Sequence, residues 1–180
     1  MGNKDGLGNF AAGSIVIDIE ASCLPEQGLS YPIEVALGDL ATGAIVAWLV
    51  RPEPHWMQWD WDPEAERVHK IPQATLVRDG MPRSVVASAI AERVIGRRIV
   101  SDHPLYDQIW LARLFQGDPG LRIHSLPELC LEIAGHGADA RELVERARAH
   151  AHAVAPIRHR AAADVAHQLA MLAYLMEHAT

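Results

Sequence analysis

Cysteine is scarce in this sequence: Cys23 and Cys130 are the only two in 180 residues, and no spacing around them resembles a zinc site or a disulfide framework. A reduced, cytoplasmic setting is therefore expected. Long hydrophobic runs are missing as well, so no transmembrane helix is expected. Positive charge is not in excess. Lys and Arg number 16 against 23 Asp and Glu, for a net charge of −7 and a pI of about 5.8. That balance argues against a module that grips long nucleic acid by charge alone, because such modules are usually basic. It leaves a metal enzyme open, since two divalent ions would add four positive charges at one place. Residues 1–13 are Gly-rich and polar and lack the apolar core of a signal peptide. The chain opens Met-Gly, but Gly6 stands where an N-myristoylation signal has Ser or Thr. A flexible leader over 1–13 and a single domain over 14–180 are expected. With 49% hydrophobic and 22% charged residues the composition is that of an ordinary globular domain, not of a disordered chain, collagen or a coiled coil.

The pattern along the chain places three strands first. Ser14–Glu20 (S-I-V-I-D-I-E) is a β-branched run, Ile33–Asp39 and Ala44–Arg51 are two more apolar runs, and the link between them suits a hairpin. Asp62-Pro63 starts a helix that runs to about Lys70. Val86, Ile90 and Val94 mark an amphipathic helix over 83–95. A short strand over 98–101, a helix over 105–115, a weak strand over 121–124 and a helix over 126–134 follow. The next helix spans 139–150 with Asp139 as its expected N-cap. The last spans 160–177, with Val165, Leu169, Leu172 and Met176 on one face. Strands followed by alternating helices and strands give an α/β fold: a mixed central sheet flanked by helices.

Asp18 and Glu20 are two apart on a strand, so both side chains share one face. Two carboxylates aimed at one point repel unless a cation lies between them, and hard oxygen ligands suit Mg²⁺ or Mn²⁺. Asp107 falls in the first turn of the helix after the 98–101 strand, and Asp164 at the start of the last helix, five residues beyond His159. The alanines 161–163 let that helix lie close to the sheet. Four carboxylates and one histidine on three elements match what two-metal phosphodiester hydrolysis requires, with ions roughly 3.5–4 Å apart and a base that titrates near neutrality.

Three motifs in order complete this pattern: D-I-E at 18–20, Tyr106-Asp107 opening a helix, and H-x-x-x-x-D from His159 to Asp164. In these the sequence resembles the DEDDh 3′→5′ exonucleases, the superfamily of proofreading exonuclease domains, ribonuclease T and oligoribonuclease. The resemblance spans about 14–175. It implies a ribonuclease H-like fold and 3′→5′ hydrolysis of single-stranded RNA or DNA. It implies two Mg²⁺ ions, with Mn²⁺ as a substitute, on Asp18, Glu20, Asp107 and Asp164, and His159 as general base. It also implies that Ala21, Ser22, Leu24 and Tyr106 touch the terminal nucleotide. Homodimers are common among the small relatives. The chain departs from the family in two places: Ala21-Ser22-Cys23 replaces the frequent Thr-Thr-Gly, and Asp102-His103 replaces His-Asn.

Other residues have plainer readings. Asp102 competes with Asp107 but is expected to be a cap or a supporting group. Trp56, Trp59 and Trp61 could stack on bases, yet packing against the first helix or a partner subunit is the better reading. Arg158 and Arg160 flank the base and could hold phosphate or be ordinary surface arginines. His150 and His152 read as helix-end surface residues, and Cys23 as structural. An endonuclease and a catalytically silent nucleic-acid-binding or interaction domain on the same fold are the alternatives.

Overall fold

The structure is a computed structural model that describes residues 13–157 and 159–179. Strand β1 (Ser14–Ala21), a β-branched run with Ile15, Ile17 and Ile19 on one face, lies inside a six-stranded sheet, between β2 and β5. It pairs antiparallel with β2 (Pro32–Asp39), and β2 pairs antiparallel with β3 (Ile45–Arg51). A 3₁₀ turn (Trp56–Gln58), α1 (Pro63–His69) and α2 (Gln73–Asp79) lead to the two-residue β4 (Met81–Pro82), which runs parallel to β3. Helix α3 (Arg83–Val94) crosses to β5 (Arg98–Ser101), which lies parallel to β1 on its other side. Helix α4 (Pro104–Phe115), β6 (Ile123–Ser125), α5 (Leu126–Ala134), α6 (Ala138–Val154) and α7 (Ala161–His178) complete the chain. The order β4-β3-β2-β1-β5-β6 is the mixed sheet flanked by helices, of the ribonuclease H-like kind, that the sequence led us to expect.

The two faces of the sheet carry separate cores. Ile15, Ile17 and Ile19 of β1, with Ile33, Val35 and Leu37 of β2, pack against Leu76, the Val86-Ile90-Val94 stripe and Leu111. The opposite face offers Val16, Ala36 and Val100 to α5, α6 and α7. Period two therefore puts Asp18 and Glu20 on the α7 side, in line with Val16. Helix α7 comes close because Gly38 leaves room for it. A Cβ on Gly38 would lie 2.5 Å from Val165 Cγ1 and 2.8 Å from Leu169 Cδ1.

Several boundaries differ from expectation. Helix α2 has one buried residue, Leu76, so no apolar stripe announces it. Strand β4 is too short to carry a pattern. Helix α6 starts at Ala138 behind Gly137 and extends to Val154, so Asp139 sits in its first turn rather than at the cap, where it still favours the helix dipole. On α7, Met176 is 38% exposed, and Met171 and Leu175 take its place in the core beside Val165, Leu169 and Leu172. Asp62 does cap α1, its side chain accepting from the Glu64 N–H at 2.8 Å. Cys23 and Cys130 are both buried and free, and burial pushes the Cys130 thiol up to about 11. No helix among the described residues is long and apolar enough to cross a membrane. The expected leader lies almost wholly outside the described residues.

Candidate active site

A cleft of about 500 Å³ opens where β1 and β5 end and α4 and α7 begin. In open α/β sheets, ligands bind beyond the carboxyl ends of the strands. Asp18 and Glu20 come from β1, Asp107 from the first turn of α4 and Asp164 from the first turn of α7. All four line the cleft, with His159. Carboxylate oxygens of Asp18, Glu20 and Asp164 lie within 4.8 Å of one another. Asp107 stands deeper, only 3% exposed, and accepts from the Ser101 hydroxyl. The same Ser101 oxygen accepts from the His103 N–H at 2.9 Å, which fixes the turn from β5 into α4.

Like charges at this spacing hold their protons. The Asp18 carboxyl is raised well above the usual range, by burial first, then by Asp107, Glu20, Asp102 and Asp164. Glu20 is raised to about 7, by burial and then by Asp164 and Glu34, with Arg160 opposing. Asp107 is also raised by burial, against the bond from Ser101. Such a group of hard oxygen donors fits a divalent cation, whose charge would offset theirs. Asp102 is exposed at the rim, where its charge raises its neighbours.

His159 sits in the loop between α6 and α7, exposed to the cleft, with φ at 53°. That left-handed conformation is uncommon for a non-glycine residue, and histidine tolerates it better than most. It turns the chain sharply just before α7. Arg158 lies outside the described residues. Arg160 is tied to Glu34, which is 4% exposed on β2 and paired across the ladder with Glu20.

The four residues expected to touch a terminal nucleotide separate into two pairs. Leu24 and Tyr106 line the cleft, Leu24 half-exposed and Tyr106 donating its hydroxyl proton to Glu26 of the β1–β2 loop. Ala21 and Ser22 are buried beside it. The Ser22 hydroxyl accepts from the Tyr31 N–H at 3.2 Å, so it braces the loop. Of the tryptophans, Trp56 is 2% exposed and stacks on Tyr31 with ring centroids 5.6 Å apart, while Trp61 donates to Glu66 of α1 at 2.7 Å. Trp61 thus packs against the first helix, and Trp56 against Tyr31 in the core.

Sequence reasoning did not single out Glu34, Trp110, Ile157, His167 or Gln168, yet all but Glu34 line the cleft. A signal existed for Glu34, the one charge inside the apolar run Pro32–Gly38, and for Gln168, a polar residue among the apolar positions of α7.

No protein-family model matches this chain, and no curated protein matches it. Among solved structures it is similar to E. coli exonuclease I in complex with a dT13 oligonucleotide, at TM-score 0.64 and 17% identity over 92% of this chain and 41% of that one. The zinc-bound form of the E. coli exonuclease I complex with single-stranded DNA matches at TM-score 0.66 and 16% identity, over 91% of this chain and 40% of that one. A structure of exonuclease I in its apo form matches at TM-score 0.63 and 17% identity, over 91% of this chain and 41% of that one. The chain thus spans about two fifths of the length of these structures, and at this identity the likeness establishes the fold they share.

Proposed function

We propose that this chain is a metal-dependent 3′→5′ exonuclease of the DEDDh type, acting on single-stranded nucleic acid. The observation that carries the reading is the convergence of Asp18, Glu20 and Asp164, with oxygens within 4.8 Å of one another, in a cleft that also holds Asp107 and His159. Carboxylates gathered this closely repel one another unless positive charge or protons neutralise them. Asp18, Glu20, Asp107 and Asp164 would hold divalent ions, Mg²⁺ or Mn²⁺. When bound, such ions supply a water of lowered pKa and neutralise charge on the leaving oxygen.

The side chains do the rest. His159, exposed in the lining of the cleft, takes the proton of the attacking water on a ring nitrogen. Ser101 holds the Asp107 carboxylate in one orientation through its hydroxyl. Leu24 and Tyr106 present an apolar edge and a ring on which the terminal nucleoside rests, and Trp110 backs that wall, its ring centroid 5.9 Å from that of Tyr106. The exonuclease I structures with bound oligonucleotides support a single strand as the substrate class.

The test uses 5′-labelled single-stranded DNA and RNA with Mg²⁺, beside 3′-blocked and circular versions. A ladder that shortens from the free 3′ end is expected. Cleavage of the circles would replace this reading with an endonuclease, and no cleavage of any substrate under Mg²⁺ or Mn²⁺ would leave a binding domain.

A further inference from the structure

Next to the carboxylate cleft lies a second hollow of about 670 Å³, set between α5, α6 and α7. Its walls are mostly apolar, with Leu126 and Leu131 from α5, Val144 and Ala149 from α6, and Met171 from α7. Asp102, Ile157, His167 and Gln168 line both spaces, so the hollow continues the cleft. Its size is that of a small-molecule site.

Gln168 stands at the junction. It is 3% exposed, and its Oε1 has no hydrogen-bond partner among the described residues. Buried acceptors are nearly always satisfied, so one left unpaired on a side chain that lines a cavity points to a donor from outside the described residues. His167 adds a second acceptor. A carbonyl can only accept, so the contact of His167 Nδ1 with Ala155 O at 2.8 Å puts a proton on Nδ1, and in the neutral ring Nε2 is then the acceptor. The charged residues disfavour a phosphate here. Asp102 and Glu145 line the hollow, and the guanidinium of Arg148 is already paired with Glu145 at 2.8 Å.

Apolar walls with acceptors at one end suit a flat, uncharged ring that carries N–H groups on its edge. We propose that this hollow is a nucleobase subsite for a nucleotide upstream of the 3′-terminal one, held while the terminal phosphodiester lies at the carboxylates. The inference rests on the nuclease reading of the cleft. A strand engaged there must continue past it, and the hollow opens directly from it. Base contacts of this kind tolerate any sequence, because every base has an apolar face and all four present edge N–H groups.

The test is an abasic scan. Fluorescent single-stranded DNA and RNA pentamers carry one abasic residue at position two, three or four from the 3′ end. Binding is read by anisotropy with Ca²⁺, and turnover separately with Mg²⁺. The wild type is expected to lose roughly tenfold in affinity at one of these positions. Ala149→Trp, an exposed-site change that fills the hollow, and Gln168→Leu, which removes the acceptor, are each expected to erase the difference between full and abasic pentamers. Unfolding curves confirm that both variants fold. A wild type indifferent to all three abasic positions, or an Ala149→Trp protein with undiminished sensitivity, would overturn the subsite. Sensitivity in binding without any turnover would uphold the subsite and overturn the nuclease reading. A wild type that neither binds nor cuts the pentamers would overturn both.

Discussion

Arg160 and Glu34, 126 residues apart in the chain, are joined by two parallel hydrogen bonds, Nε to Oε2 at 2.9 Å and Nη2 to Oε1 at 2.7 Å. The Ala161 N–H also donates to Oε2, at 2.9 Å. One buried carboxylate on β2 therefore caps the N-terminus of α7 and holds the residue that follows His159. Asp164 lies one turn further on. The latch sits between His159 and Asp164 in the chain and ties the start of α7 to β2.

Glu34→Ala removes the cap and leaves the guanidinium without its fork partner. We expect a loss of about 1–3 kcal/mol in urea unfolding, with reduced turnover at saturating metal. Glu34→Gln keeps an acceptor for the Ala161 N–H and is expected to fall between. Wild-type stability and turnover in Glu34→Ala would show that the latch does not position the site.

Glu20 makes stability depend on pH in a defined direction. Its carboxyl is raised from 4.5 to about 7. Between those values the folded protein holds a proton that the unfolded chain releases. The metal-free protein should therefore lose stability as pH rises through this window, by up to about 3 kcal/mol from this group. Asp18 and Asp107, also raised, act in the same sense. In EDTA, Glu20→Gln should melt above the wild type at pH 8 and near it at pH 4.5. A wild type whose metal-free stability climbs from pH 5 to pH 8 would contradict this.

His159 is exposed, and in the proposed reaction it serves the chemistry rather than the fold. His159→Ala should keep the wild-type melting temperature, and its turnover should fall by about 10²–10⁴-fold. Added imidazole should restore part of the rate. Unchanged turnover would assign the proton transfer elsewhere.

Trp56 belongs to the core. Trp56→Ala should cost about 3–5 kcal/mol in denaturant unfolding, because its ring is enclosed and stacked on Tyr31. A small loss of stability with a large loss of oligonucleotide affinity would instead make it a base-stacking residue.

The sheet was legible because its strands are β-branched runs, and the carboxylates because period two put Asp18 and Glu20 on one face. The Val86-Ile90-Val94 stripe announced α3 by the helical period, with apolar residues four apart. What could not be read was set by distance in the chain. Nothing local at Glu34 tells that its partners are Arg160 and Ala161, and nothing at Gly38 tells that Val165 and Leu169 need its missing side chain. Ser22 follows D-I-E as a substrate contact would, but its hydroxyl is drawn to the Tyr31 backbone by the loop that folds over it. Helix α2 was invisible because a seven-residue segment with one buried side chain carries no period.

The central claim is that Asp18, Glu20, Asp107 and Asp164 hold the ions that hydrolysis requires. Its most direct test is turnover of a 5′-labelled single strand by the wild type, Asp18→Ala and Asp164→Ala across a Mg²⁺ titration, with an unfolding curve for each protein. Mg²⁺-dependent shortening by the wild type, abolished by EDTA, is expected. Both variants are expected to fold normally and to turn over more than about a hundredfold more slowly. Full activity in either variant, or wild-type activity that survives EDTA, would contradict the claim.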